Sequence, residues 1–277
     1  MTATVPAGLL TLARETALAA AGLARRRRDE GVSVAATKSS AEDIVTPADR
    51  ETEALIRGLL AEARPNDGFY GEESEATAGS SGLTWVVDPI DGTVNYLYGI
   101  PAYAVSIAVV EGDPDPDTWT ALAGAVVNPA TGEAFTALAG AGAYLADRRL
   151  QANTGVPLAL ALLGTGFSYS ASRRVDEATI VRALIGRVRD IRRMGSAALD
   201  LCGVAAGRLD LYYERGLNPW DHAAGALIAR EAGARVGGLG GDPEGRGLLI
   251  AGAPDVYDAF EPLLAEIFAG RPAEADD

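Results

Sequence analysis

One lysine, one histidine and one cysteine occur in 277 residues, and each scarcity closes off a chemistry. Cys202 alone permits no intramolecular disulfide, and its place in an apolar helix candidate makes it a core residue rather than a nucleophile. His222 alone excludes a histidine-rich metal site. It stands at the start of a predicted helix with no nucleophile beside it, which argues against a Ser/His or Cys/His triad. A Gly-x4-Gly-Lys-Ser/Thr loop is missing too, and with it the P-loop nucleotide enzymes. No run approaches the ~20 apolar residues of a membrane span. The first residues show no charged leader with an apolar core and cleavage site, so a cytoplasmic location is expected. Positive charge is short overall: the formal net charge is -14 and the pI about 4.6, a balance that disfavours direct binding to nucleic acid or to an acidic membrane. The basic run Arg25 to Arg28 closes a predicted helix, where arginines suit the dipole and water.

Arginine supplies every basic side chain but one, so the lone lysine, Lys38, invites a reason. A compact ammonium fits a cramped place beside carboxylates or phosphate better than the broad guanidinium fork.

The residues that are present concentrate attention on 85–95, Trp-Val-Val-Asp-Pro-Ile-Asp-Gly-Thr-Val-Asn. Trp85, Val86 and Val87 read as a buried strand, Pro89 stops the ladder because it has no N-H to donate, and Gly92 permits a sharp reversal. Asp88 and Asp91 are then left at a strand's mouth, where open α/β sheets bind ligands and where hard cations take carboxylate and carbonyl oxygens, the carbonyl of Ile90 among them. Thr93 begins a helical turn whose free N-H groups suit a phosphate.

Asp-Pro and Asp-Gly are also ordinary turn dipeptides, and alone they would signify only a turn. Two further acidic groups shift the balance. Upstream, Glu72 and Glu73 follow the strand candidate Gly68-Phe69-Tyr70-Gly71 and lead into a Ser, Gly and Ala stretch that reads as a mobile loop. Downstream, an alternating strand at 209–213 ends in Glu214, and Asn218-Pro219-Trp220-Asp221 precedes an alanine-rich helix with Asp221 at the expected N-cap. The stretch Asp113-Pro114-Asp115-Pro116-Asp117 lacks the glycine and bidentate glutamate of a calcium loop and reads as a stiff connection between strands.

With these residues in view, the chain resembles the inositol monophosphatase family. It carries that family's Asp-Pro-Ile-Asp-Gly-Thr signature at 88–93 and its Trp-Asp-x-Ala-Ala-Gly signature at 220–225. The likeness extends through Gly71-Glu72-Glu73, the 43–49 segment, Gly195-Ser196-Ala197-Ala198 and 209–214, and is greatest to bacterial inositol-1-monophosphatases of the actinobacterial type. The resemblance implies two or three Mg2+ ions. Glu72, Asp88 and the Ile90 carbonyl would hold one, and Asp88, Asp91 and Asp221 a second, with a third near Glu72. It implies that Thr93, supported by Asp49, orients the attacking water, that Lys38 lies close to the metals, and that Gly92 and Thr93 amides hold phosphate. Sugar hydroxyls would meet Asp91, Ala197, Glu214 and Asp221, and substrate choice would turn on Glu214, on Gly195, Ser196 and Ala197, and on 167–172. A homodimer is also implied. The alternatives are a histidinol-phosphate phosphatase on the same fold and, in a different class, a protein-binding regulator of transcription complexes. Fructose 1,6-bisphosphate and adenosine 3',5'-bisphosphate fit the resemblance less well.

Periodicity predicts helices at 7–29, 49–63, 172–186, 196–206, 221–233 and 254–269, and strands near 67–72, 84–88, 103–110, 120–127, 132–138, 158–164, 209–213 and 248–251. The expected fold is an α/β layered sandwich, αβαβα. An N-terminal half (1–145) would carry an antiparallel sheet and most metal ligands, and a C-terminal half (146–277) would complete the site.

Overall fold

Alanine spacing sets the first layer. Ala13, Ala17, Ala20 and Ala24 are fully buried along one stripe of the first helix, the three-to-four spacing that brings small side chains onto one face and lets the helix approach a sheet closely. The computed structural model describes residues 4–32, 36–37 and 44–270. Its first part comprises α1 (Thr4–Glu30), β1 (Ala36–Thr37), β2 (Ile44–Val45), α2 (Pro47–Ala63), β3 (Gly68–Gly71), β4 (Leu83–Asp91) and α3 (Thr93–Tyr98). The meander β5 (Ala104–Glu111), β6 (Thr120–Val127), β7 (Ala134–Leu138), β8 (Gly142–Leu145) and β9 (Arg148–Arg149) follows. A 3-10 turn then leads into β10 (Leu162–Thr165), α4 (Ala171–Leu184), β11 (Asp190–Arg192), α5 (Ala197–Ala205) and β12 (Leu211–Glu214). The chain continues through α6 (Pro219–Glu231), β13 (Arg235–Gly237), β14 (Leu249–Gly252) and α7 (Pro254–Ala269).

Strands β3 to β9 form one sheet in sequence order, antiparallel except for the β3–β4 pair. The second sheet runs β11-β10-β12-β14-β13, with its first three strands parallel. Strand alternation divides the core. Trp85 and Val87 face α1 and α2, whereas Val86 faces α5 and α6. In β12, Tyr213 packs on Phe260 of α7 with ring centroids 5.8 Å apart, so its neighbours Tyr212 and Glu214 take the opposite face. Helices α5 and α6 therefore lie between the two sheets, α1 and α2 cover one outside, and α4 and α7 pack on the other. This is the αβαβα sandwich expected from the sequence.

Several boundaries differ from the periodicity. Pro89 does not end β4: pairing with β5 runs through Asp88, breaks, and resumes at Asp91 opposite Ala104. The missing proline donor is absorbed by a bulge rather than by termination. Both α2 and α6 start at a proline, two residues before the predicted starts, because proline fits the first helical position. The predicted strand at 158–164 opens as the 3-10 turn Leu158–Leu160 and is extended only over Leu162–Thr165. Strands β1, β2, β8, β9, β11 and β13 have no counterpart in the predicted set; none exceeds four residues, too short for a period of two to register.

Candidate active site

Strand alternation puts Asp88 on the face of Val86, towards α6, where its ladder partner Ser106 donates to the Trp220 carbonyl at 3.4 Å. The bulge at Pro89 then allows Asp91, three residues on, to reach the same cleft. One Asp88 carboxylate oxygen accepts the Ile90 N-H at 3.0 Å. Gly92 follows with φ +90, and a Cβ there would lie 2.8 Å from the Gly195 carbonyl and 3.0 Å from that of Ala102. Only glycine satisfies both the backbone and the space. It caps α3, whose first residue is Thr93.

Each carboxylate has a designed seat. Asp91 accepts the Ser196 hydroxyl at 2.5 Å and the Ala198 N-H at 2.8 Å, at the N-terminus of α5. Asp49 is fully buried in the first turn of α2, where one oxygen takes the Thr46 N-H at 2.8 Å. Its other oxygen lies 3.2 Å from the Thr93 hydroxyl, which is also 3.1 Å from the Ile90 carbonyl. Asp221 is the third residue of α6, and its carboxylate accepts the Asn218 N-H at 2.6 Å. Asn218 is the N-cap, so the sequence expectation of Asp221 in that place is corrected: the pair form a capping box. Glu214 accepts the Tyr212 hydroxyl at 2.5 Å, and Gly166 leaves it the room that any Cβ would fill.

The Glu72 segment is pinned from α2. Buried Glu53 accepts the Glu73 N-H at 2.8 Å and the Ser74 hydroxyl, while Arg57 holds Ser74, Thr77 and the Glu75 carbonyl. The stretch expected to be a mobile loop is thus tied at its start, because two long side chains of one helix face supply its missing backbone and hydroxyl partners.

One cleft of about 790 Å³ collects Glu72, Asp88, Ile90, Asp91 and Asp221 with Gly92, Thr93, Gly195, Ser196, Ala197 and Glu214. Asp49 stands behind Thr93 rather than on the cleft wall. Lys38 lies outside the described residues. His222 is fully buried away from the cleft with its ring centroid 6.2 Å from that of Trp119, and burial pushes its imidazole down to about 4. Cys202 is buried in α5, as expected. Sequence reasoning missed Arg173, Arg193, Arg215 and Arg246, all on the cleft. They come from separate elements, and no local pattern marks them.

Electrostatics set the character of the cleft. Burial raises the Asp91 carboxyl, against the opposing bonds from Ser196 and Ala198. Asp221 is raised well above the carboxylate range, first by burial and then by Glu72 and Asp91. Burial likewise lifts Glu214 to about 7, with Tyr212 and Arg193 pulling the other way. Among the described residues no three carboxylate, histidine or thiol groups close on a single point. The carboxylates nonetheless repel one another across a shared cleft, and hard divalent cations relieve that repulsion with this oxygen-only donor set.

A layered αβαβα frame with an acidic cleft at the ends of its strands and a helix N-terminus beside it defines a phosphoric monoester hydrolase. The sequence profile of the inositol monophosphatase family matches residues 7–269. The inositol-1-monophosphatase of Mycobacterium bovis is 48% identical over 274 residues, covering 91% of this chain and 92% of its own. The Nus factor SuhB of Pasteurella multocida is 39% identical over 87% of this chain and 90% of its own. The crystal structure of the extragenic suppressor protein suhB from Bartonella henselae superposes with a TM-score of 0.85 at 36% identity, covering 93% of this chain and 98% of that one. The chain belongs to the inositol monophosphatase family, whose members are generally metal-dependent. Among the described residues no helix is long and apolar enough to cross a membrane.

Proposed function

We propose that this enzyme hydrolyses myo-inositol 1-phosphate to myo-inositol and phosphate with Mg2+. The observation that carries the reading is the meeting of four carboxylates, Glu72, Asp88, Asp91 and Asp221, with Thr93 and Glu214 in one cleft. Glu72, Asp88 and the Ile90 carbonyl would hold one ion, and Asp88, Asp91 and Asp221 a second, with a third near Glu72. Bound Mg2+ supplies charge neutralisation and an acidified water, the two needs of phosphoryl transfer.

The chain's own groups do the rest. The Thr93 hydroxyl has one proton and two acceptors in reach; given to Asp49, it leaves a lone pair free to orient water. The Gly92 and Thr93 amides, at the start of α3, receive phosphate. Ser196 and the Ala198 amide fix Asp91 so that it holds position when its charge is engaged. Glu214, with Asp91, Ala197 and Asp221, meets polyol hydroxyls, and Gly195 and Ser196 shape that wall. Lys38, outside the described residues, is assigned to the metal surroundings by the family resemblance alone. In this reading the halves 1–145 and 146–277 each contribute one side of the cleft, and the enzyme works in the cytoplasm as a homodimer.

The test is a panel of phosphomonoesters at equal concentration with Mg2+. Inositol 1-phosphate should give the highest kcat/KM; a preference for histidinol phosphate overturns the substrate. The name of the Pasteurella relative supports a second reading, a regulator acting by protein contact. Asp91→Asn separates the two. Hydrolysis should fall at least about a hundredfold with the circular dichroism spectrum kept, whereas a purely binding role is indifferent to it.

A further inference from the structure

One strand pair carries the wall of the cleft that holds Glu214. Strands β10 and β12 run parallel, with Leu163 opposite Leu211, Gly164 opposite Tyr212 and Thr165 opposite Tyr213. Paired residues of neighbouring strands share a face, so Tyr212 and Glu214 stand on the face where the neighbouring chain offers only Gly164 and Gly166. We propose that Tyr212 is the positioning residue for Glu214, and that Tyr212 and Gly166 together make the enzyme selective for phosphate esters of hydroxyl-rich alcohols. The inference rests on the reading of the cleft given above and concerns how its Glu214 wall discriminates.

The space at both glycines is already taken. A Cβ at Gly164 would lie 3.2 Å from Cδ2 of the Tyr212 ring, so that ring lies against bare backbone. A Cβ at Gly166 would fall on the Glu214 carboxyl, closer than van der Waals contact allows. The carboxyl thus fills the volume that a side chain at 166 would take. Gly166 is not among the glycines with positive φ, so what glycine supplies there is room and not a special backbone.

Room alone does not fix a carboxylate; a donor does. The Tyr212 hydroxyl donates to Glu214 Oε2 at 2.5 Å, and Tyr212 is fully buried in the core around the second sheet, so the bond comes from a fixed direction. A phenol has one proton to give. With that proton on Oε2, the lone pairs of Oε1 are left for the hydroxyl groups of a bound alcohol. Burial lifts Glu214 to about 7, and the Tyr212 bond pulls it back down, so the hydroxyl also helps to keep the group an acceptor.

Discrimination follows from what an oriented acceptor can bind. A polyol ester presents hydroxyl donors to it, whereas an ester whose alcohol has no donor leaves the acceptor desolvated and unpaired. Without the Tyr212 hydroxyl the carboxyl loses its direction, and the two kinds of ester are treated more alike.

The experiment measures kcat/KM for myo-inositol 1-phosphate and for phenyl phosphate, whose alcohol has no further hydroxyl, at saturating Mg2+. Tyr212→Phe should lower the ratio of the two by about tenfold or more. The loss should appear as a higher KM for inositol 1-phosphate, with its kcat and the phenyl phosphate constants kept within about twofold. Gly166→Ala should shift the ratio the same way, because its Cβ displaces the end of a flexible side chain and not backbone; it decides the question if Tyr212→Phe does not fold. In a Glu214→Ala background, Tyr212→Phe should change the ratio by less than about twofold, since it acts through the carboxylate. Equal losses with both esters, an unchanged ratio, or a further fall in the Glu214→Ala background overturns the inference. If the native enzyme prefers another ester to inositol 1-phosphate, the proposed substrate has failed, and the same ratio taken with that ester still decides the role of Tyr212. If the native enzyme cleaves no ester, the reading of the cleft has failed and the inference falls with it.

Discussion

Asp88 and Asp91 share a cleft because Pro89 stands between them. A regular strand would send residues three apart to opposite faces; the proline breaks the ladder, the bulge adds a residue, and both carboxylates emerge on one side. That geometry was only half legible, since proline announces a disturbance without saying whether the strand ends or bends. Glu53 was not legible at all. It lies on the buried face of α2 where a glutamate is a poor choice for packing, and its purpose appears only with the Glu73 N-H and Ser74 hydroxyl beside it. Glu53→Gln should keep the fold but loosen the seat of Glu72, with activity and apparent Mg2+ affinity falling about tenfold or more, as for other groups that orient metal ligands. Enzyme assays across a Mg2+ titration check it; an unchanged half-saturation point would contradict the role. Asp67 gives a pH test away from the cleft. Burial would raise its carboxyl, but bonds from Arg64, Ser81 and the Trp85 indole outweigh this and hold it below the ordinary 3.8. A depressed carboxyl contributes stability above its unfolded value and loses it as pH falls through the folded one. Asp67→Asn should therefore be less stable than the native chain at pH 7, with the gap closing below about pH 4. Urea unfolding followed by tryptophan emission at both pH values measures the difference.

At the scale of elements, the middle layer decides how the site is assembled. Asp91 is anchored on the first turn of α5 and Asp221 sits in the first turn of α6, so the packing of these two helices sets the spacing of the carboxylates. Gly225 permits their close crossing: a Cβ there would lie 2.9 Å from the Leu201 side chain. Gly225→Val should cost about 1–3 kcal/mol by overpacking, seen as a lower denaturation midpoint, and should lower activity by displacing Asp221. Loss of stability with full activity would show that the site tolerates a shift of the layer. The long helices and the β4 to β7 meander could be read from the chain, because each repeats its period several times. The short strands β8, β9, β11 and β13 could not; pairing with longer neighbours, rather than their own pattern, makes them extended.

For the whole molecule, the proposed Mg2+ sites in an already acidic chain would couple stability to cations. Chelation by EDTA should abolish hydrolysis and lower the melting temperature, and restoring Mg2+ to a hundredfold excess over its dissociation constant should return about 2.7 kcal/mol per independent site. Calorimetric scans with and without Mg2+ test this, and a melting temperature indifferent to Mg2+ would count against a site that needs it. The sequence by itself determined the sandwich class, which acidic residues line the cleft and the class of enzyme, because these follow from local periods and from signature stretches. Tertiary structure alone decided that Asp49 stands behind Thr93, that Glu53 holds the Glu72 segment, and that Gly166 leaves its space to the Glu214 carboxyl. Those facts depend on contacts between residues far apart in the chain, and a local pattern carries no record of where distant segments come together.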